Sequence, residues 1–241
     1  MTAKTVLFST LIALAAVGKA HAQTAPTPGS CVSLPPGFTP LFDGKTSKGW
    51  HVSRSAMHGT DFKVSVQECA LYLNRHPYGQ GGVLLTDRTF KNFELYVEAK
   101  PDFHDNSGIF LRSTEGAAAY QIELVRPGRT GALISEYVPI GERTNIGQER
   151  NIDDLWKDGE WNSIRIRFEG DAPHITVWIN GEKLWEAQMA KNDMVGGGTS
   201  GHIGLQMHLA QGVGTGSGVN AIHGFSEATQ RFRNIGVKEL P

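Results

Sequence analysis

From Phe38 onward, apolar and polar residues alternate with period two rather than 3.6. Asp61-Phe62-Lys63-Val64-Ser65-Val66 alternates, as does Phe93-Glu94-Leu95-Tyr96-Val97-Glu98. Over 161–168, Ile164, Ile166 and Phe168 are offset by Arg165 and Arg167. Farther on, Ile175, Val177 and Ile179 are offset by Thr176, Trp178 and Asn180. This is the pattern of a strand with one face buried and one face polar. Asn180-Gly181 between two such runs signals a two-residue hairpin, whose central positions both need positive φ. Further strands are predicted at 82–86, 108–113, 120–125, 201–208 and 230–240. About a dozen short strands, glycine-rich turns and no long amphipathic helix predict an all-β sandwich or barrel.

Three stretches interrupt the rhythm: 141–159, 194–200 and 209–229. Loops of such length in a compact domain are usually functional or disordered. Ahead of the domain, 23–37 is proline-rich and reads as a flexible lead-in. Residues 1–22 hold Lys4, an apolar run from Val6 to Val17, and Ala20-His21-Ala22 before Gln23. That is the layout of a secretory signal peptide, and the run is shorter than the ~20 residues a membrane span needs. The expected organisation is a signal peptide (1–22), the lead-in, and one domain over 38–241. The expected location is periplasmic or secreted, with no membrane span after signal cleavage. A net charge of −1 offers no basic surface for nucleic acid or anionic membrane. An oxidising compartment permits a disulfide between Cys31 and Cys69, two separate buried thiols being the other arrangement. Neither cysteine has the spacing of a zinc site.

Several fragments follow one another in order along the domain. They are Leu41-Phe42-Asp43-Gly44-Lys45, Gly49-Trp50, Gly81-Gly82-Val83-Leu84, Phe93-Glu94-Leu95 and Asn106-Ser107-Gly108-Ile109-Phe110-Leu111-Arg112. Then come Tyr120-Gln121-Ile122-Glu123-Leu124, Glu160-Trp161-Asn162, Asn180-Gly181, Gly204-Leu205-Gln206-Met207-His208 and Phe232-Arg233-Asn234-Ile235. Each is short, but the ordered set resembles the 3-keto-disaccharide hydrolase family. The resemblance implies a concanavalin A-like jelly roll of two sheets and activity on 3-keto-glycosides.

Alternation puts Gln121 and Glu123 on one face of their strand, opposite Ile122 and Leu124. His202, Gly204, Gln206 and His208 share a face, and Arg112 is expected to share one with Phe110 and Gly108. The resemblance implies Glu123 as general base or metal ligand and His208 as general acid or base. It implies Arg112 as a planar fork for an oxyanion or sugar hydroxyl. Gln121, Gln206 and Asn106 are candidate sugar-binding amides, and Trp50, beside a loop, a candidate stacking platform. Each has a plainer reading: a solvated carboxylate, a surface histidine, a cross-strand salt bridge, turn hydrogen bonds, or aromatic packing. Trp156 carries the same two readings as Trp50.

Ordinary glycosidases need two carboxylates flanking the bond, and the Glu-x-Asp-x-x-Glu strand usual on such a jelly roll is absent. A 3-keto sugar offers another route, because the ketone acidifies the C2 hydrogen. One base removes that proton, the C1 substituent leaves, and water adds to the enone. Glu123 or His208 is the expected base. Arg112, an amide or a divalent metal is the expected holder of the enolate oxygen. The partner is then an oligosaccharide or 3-keto-glycoside, the competing function being a non-catalytic carbohydrate-binding module. The chain departs from the family twice. Gln121 then Glu123 stands where Glu then Gln is usual, and 209–229 is inserted before the last strand, which puts His223 within a lid or a plug.

Overall fold

The alternating runs pair as antiparallel strands in two sheets. The computed structural model describes residues 30–75, 80–125, 128–138, 150–208 and 228–241. Residues 1–22, expected to be a signal peptide, lead-in residues 23–29, loop residues 141–149 and insertion residues 209–227, with His223, lie outside the described residues. Among the described residues the strands are β1 (Thr39–Pro40), β2 (Trp50–Val52), β3 (Lys63–Gln67), β4 (Ala70–Asn74), β5 (Gly82–Thr86), β6 (Phe93–Ala99) and β7 (Ser107–Ser113). They continue as β8 (Ala119–Leu124), β9 (Leu133–Glu136), β10 (Asn162–Glu169), β11 (His174–Ile179), β12 (Glu182–Gln188), β13 (His202–Met207) and β14 (Thr229–Glu239), with one short helix, α1 (Ile152–Leu155).

One sheet runs β12-β11-β10-β6-β14-β4-β3, with β1 added to β14, and the other runs β2-β5-β13-β7-β8-β9. Between them lies the core. Leu71, Leu95, Val97, Ile164, Ile166 and Phe168 from the eight-stranded sheet meet Ile109, Tyr120, Ile122, Leu205 and Met207 from the six-stranded one. The result is a two-sheet sandwich, one of the two architectures the strand pattern predicts, and the jelly roll that the resemblance implies. Non-consecutive neighbours such as β6 and β14, or β5 and β13, tie distant parts of the chain together, so the fold is held by long-range contacts.

Local chemistry explains the turns. Asn180 and Gly181 have φ of 51° and 87°, as a type I′ hairpin requires. The Asn180 amide also donates to the Leu155 carbonyl at 2.8 Å, fixing α1 beside the turn. Lead-in residues 30–37, expected to be flexible, are anchored. Cys31 is disulfide-bonded to Cys69 in the β3–β4 turn, the Ser33 N–H donates to Asn234 Oδ1, and Leu34 packs over Gly236. The hydrophobic side of a proline-rich segment thus found a surface to cover, which composition alone does not reveal.

Candidate active site

A sandwich normally leaves the outer face of each sheet to solvent, yet in the inner strands of the six-stranded sheet, β5, β13, β7 and β8, both faces are almost wholly buried. Every residue of β8 is buried. Tyr120, Ile122 and Leu124 point into the core, and Gln121 and Glu123 point outward, as the period of a strand dictates. Ala56, Val83, Leu85, Phe110, Ala117 and Ala119 form a second apolar cluster on that outward face. Ala56 comes from the β2–β3 connection, which therefore roofs the sheet. Ser53 in that connection donates to the Glu115 carbonyl at 2.6 Å and accepts from the Ala56 N–H at 3.0 Å, pinning the roof.

The polar residues sit beside this apolar floor. Register aligns Gly108 with Glu123, and places Gln206 beside Gly108 on the next strand. A Cβ on Gly108 would lie 2.2 Å from Gln121 Nε2, so the missing side chain is the space the amide occupies. There Gln121 Nε2 donates to Gln206 Oε1 at 3.2 Å. Both glutamines are fully buried, and Gln121 Oε1 has no hydrogen-bond partner among the described residues. Asn106 Nδ2 donates to Glu123 Oε1 at 3.1 Å, and Arg129 Nη2 lies 2.9 Å from Glu123 Oε2. His208, at the end of β13, is buried, and its carbonyl accepts from Arg75 Nη1 at 3.3 Å.

Several residues of this site were not singled out by the sequence pattern. His58, buried in the roof, has its Nε2 2.7 Å from Glu136 Oε2 on β9. Its ring lies edge-on to His208 at 4.9 Å between centroids, and near Phe110 and Tyr137. Gln206 Nε2 is 3.5 Å from His58 Nε2, so the glutamine pair and the histidine–carboxylate pair adjoin. Burial, followed by the Glu136 charge, raises the Tyr137 pKa. Arg129 completes the Glu123 pair. At the rim, Arg75 and Asp105 form a buried ion pair, and Asp105 Oδ1 also accepts from the Asn106 N–H at 2.9 Å. Burial pushes the Asp105 carboxyl up to about 6, against the opposing pull of Arg75 and the Asn106 N–H. Only geometry brings these residues together: 78 positions separate His58 from Glu136.

Two expectations are corrected. Arg112 does not share the outward face with Phe110. Its φ is +53°, and the β13–β7 register shifts between His202 and Gly204, which turns the side chain inward. Its guanidinium lies 4.6 Å over the Phe168 ring and donates to the carbonyls of Lys91, Gly170 and Asp171. It is fully buried and ties the end of the sandwich together, away from the site. Trp50 is core: its indole is buried in the main cluster and its Nε1 donates to the Leu41 carbonyl at 2.7 Å. Trp156 likewise packs in the core, against Phe103. The donor set among the described residues does not fit a divalent metal. Among the described residues, no three His, Cys, Asp or Glu side chains converge on one point, and Glu123 is engaged by Arg129 and Asn106.

A family model described as a 3-keto-alpha-glucoside-1,2-lyase-like domain matches residues 37–238. No curated protein matches the chain. Among solved structures, the fold is similar to a putative glycosyl hydrolase from Parabacteroides distasonis, 21% identical, with 85% of this chain and 94% of that one covered and a TM-score of 0.55. It is also similar to the carbohydrate-binding module CBM66 from Bacillus subtilis, 11% identical, covering 79% and 96% at a TM-score of 0.52. A protein of unknown function with a galectin-like fold, also from Bacillus subtilis, is 14% identical, covering 80% and 90% at 0.50. At such identities these likenesses establish the fold.

Proposed function

The chain belongs to the 3-keto-alpha-glucoside-1,2-lyase-like family, and from that premise we propose that it cleaves 3-keto-glycosides by removing the C2 proton and expelling the C1 substituent. The observation that supports this reading is the buried set of histidines, carboxylates and amides on the roofed face of the six-stranded sheet. An enolate mechanism needs one base, donors for an oxyanion, and a dry site in which those donors act at full strength. Loss of the C2 proton sends the C–H electron pair onto the C3 carbonyl oxygen. Return of that pair forms the C1–C2 double bond and breaks the C1–O bond. The leaving oxygen takes a proton and departs as the free alcohol. Water then adds across the enone, its oxygen to C1 and a proton to C2, giving the 3-keto monosaccharide.

In this scheme the Gln121 and Gln206 amides and the Arg129 guanidinium supply donors for the sugar and for the enolate oxygen. His208, the second histidine of the set, protonates the leaving oxygen in this scheme. Glu123 is held on both oxygens by Asn106 and Arg129, so taking a proton there would displace an existing donor. Its part is to bind and to fix those two donors.

The test is incubation of the purified mature chain with 3-keto-lactose or 3-keto-trehalose, followed by NMR. Release of 3-keto monosaccharide supports the reading. Sugar binding without release, by a folded protein, would replace it with that of a carbohydrate-binding module.

A further inference from the structure

We propose that His58, oriented by Glu136, is the group that takes the C2 proton, an assignment that rests on the keto-glycoside reading above. Three features of the pair single it out. First, an ionised Glu136 only accepts hydrogen bonds, so the 2.7 Å contact places the neutral imidazole's proton on Nε2. The lone pair is thereby left on Nδ1. Second, Nδ1 is buried and has no hydrogen-bond partner among the described residues. A buried acceptor that native folding leaves unpaired is costly and needs a reason. Third, the ring is held by packing against His208, Phe110 and Tyr137, so its direction is set before a ligand arrives.

Glu123 is already bound by a guanidinium and an amide. His208 adjoins the His58 ring edge-on and remains for the leaving oxygen. A base whose far nitrogen is held by a carboxylate is the arrangement by which imidazoles are kept in a productive tautomer. In the step itself, the C2–H bond breaks and Nδ1 gains the proton. His58 becomes an imidazolium facing Glu136, and the electron pair moves to the C3 oxygen. When water has added at C1, the imidazolium, whose proton has exchanged with solvent, gives a proton to C2, and His58 is neutral again. Glu136 is a positioning residue: it acts through His58 and touches no reacting atom.

The experiment follows two signals in D2O by proton NMR, exchange of the C2 hydrogen of 3-keto-lactose and release of keto sugar. His58→Gln keeps a donor at the Nε2 position for Glu136 and removes the Nδ1 acceptor. The expected result is a fall of about 100-fold or more in both exchange and kcat, the range typical of a lost general base. KM should stay within about threefold and thermal unfolding close to wild type, as uniform binding is untouched. Glu136→Gln should lower kcat by about tenfold with a similarly small change in KM. In His58→Ala, added imidazole should restore part of the exchange. Exchange and kcat within threefold of wild type in His58→Gln would overturn the assignment while leaving the keto-glycoside reading intact. A wild-type chain that neither exchanges C2 hydrogen nor releases keto sugar would instead overturn the reading, and the assignment with it. Should His58→Gln lose its cooperative unfolding transition, an unchanged kcat in Glu136→Gln overturns the assignment on its own.

Discussion

The outer faces of the two sheets obey the same period-two rule and end in opposite environments. On the eight-stranded sheet, Arg165 lies 3.9 Å over Trp178, Arg233 lies 4.3 Å over Trp161, and Arg167 pairs with Glu94 and Glu169. These side chains are partly exposed, and each cation has water or an aromatic plane beside it. On the six-stranded sheet the polar outward residues are amides, a glutamate and a histidine, set beside an apolar cluster. They lie beneath a roof, with Gln121 and Gln206 fully buried. The difference lies in the 53–62 connection rather than in the strands. A polar face becomes a site when a loop removes it from water, because only there do hydrogen bonds and charges act at low dielectric.

The largest expected contrast between the faces comes from cutting one hydrogen-bonded side chain on each. Gln206→Ala leaves the Gln121 amide buried without its partner. It should cost about 1–3 kcal/mol in unfolding free energy and lower kcat/KM by about 30-fold or more, the size of effect at stake when a positioned donor is lost. Urea titration and a keto-sugar assay measure the two. The rim gives the next largest effect, read as a pH profile. As pH falls through about 6, protonation of Asp105 releases Arg75 and the Asn106 N–H, so activity should decline on that limb. Arg75→Met removes the cation that holds the carboxyl down, and its limb should lie at higher pH than that of wild type. The stability sign is opposite. A carboxyl raised from 3.8 to about 6 holds its proton more tightly in the fold than unfolded, so its favourable contribution is present below the unfolded value and lost as pH rises to about 6.

On the open face, Arg165→Ala should cost no more than about 1 kcal/mol, the worth of an exposed cation–π contact, and leave kcat/KM within twofold of wild type. A large loss of activity there would break the distinction between the faces. The smallest effect is expected at the edge of the six-stranded sheet, where His51 bridges Asp87 and Glu115. Burial opposes its charge, but the two carboxylates outweigh burial and raise its pKa. Its contribution is therefore full below the unfolded value of 6.5 and lost as pH rises through the folded one. His51→Asn should lower Tm by about 1–2 °C at pH 5.5, as a surface pair does, with the difference closing above neutrality.

Much of the sandwich was legible because strand periodicity is a local property. Ile164, Ile166 and Phe168 fell inward as predicted, and Asn180-Gly181 made its hairpin. The same rule placed Gln121 with Glu123 and Gln206 with His208. It misplaced Arg112 because a register shift and a positive φ reverse a side chain without changing the alternation of letters. Trp50 misled because an indole next to a glycine turn has the same sequence context whether it faces a ligand or the core. His58, Glu136, Arg129, Arg75 and Asp105 carried no signal. They come from connections and strand ends, and their adjacency depends on which loop folds over which strand.

Gly108 offers a handle for protein engineering. Its backbone is ordinary strand, so a methyl group there carries no conformational penalty and, if anything, favours the extended chain. What that methyl displaces is the Gln121 amide, and with it the link to Gln206. Gly108→Ala is thus a way to break the buried glutamine pair while keeping the scaffold, a folded blank whose surface, charge and disulfide are those of the parent. For a domain of this kind, such a blank is the reference against which any sugar-dependent signal can be calibrated.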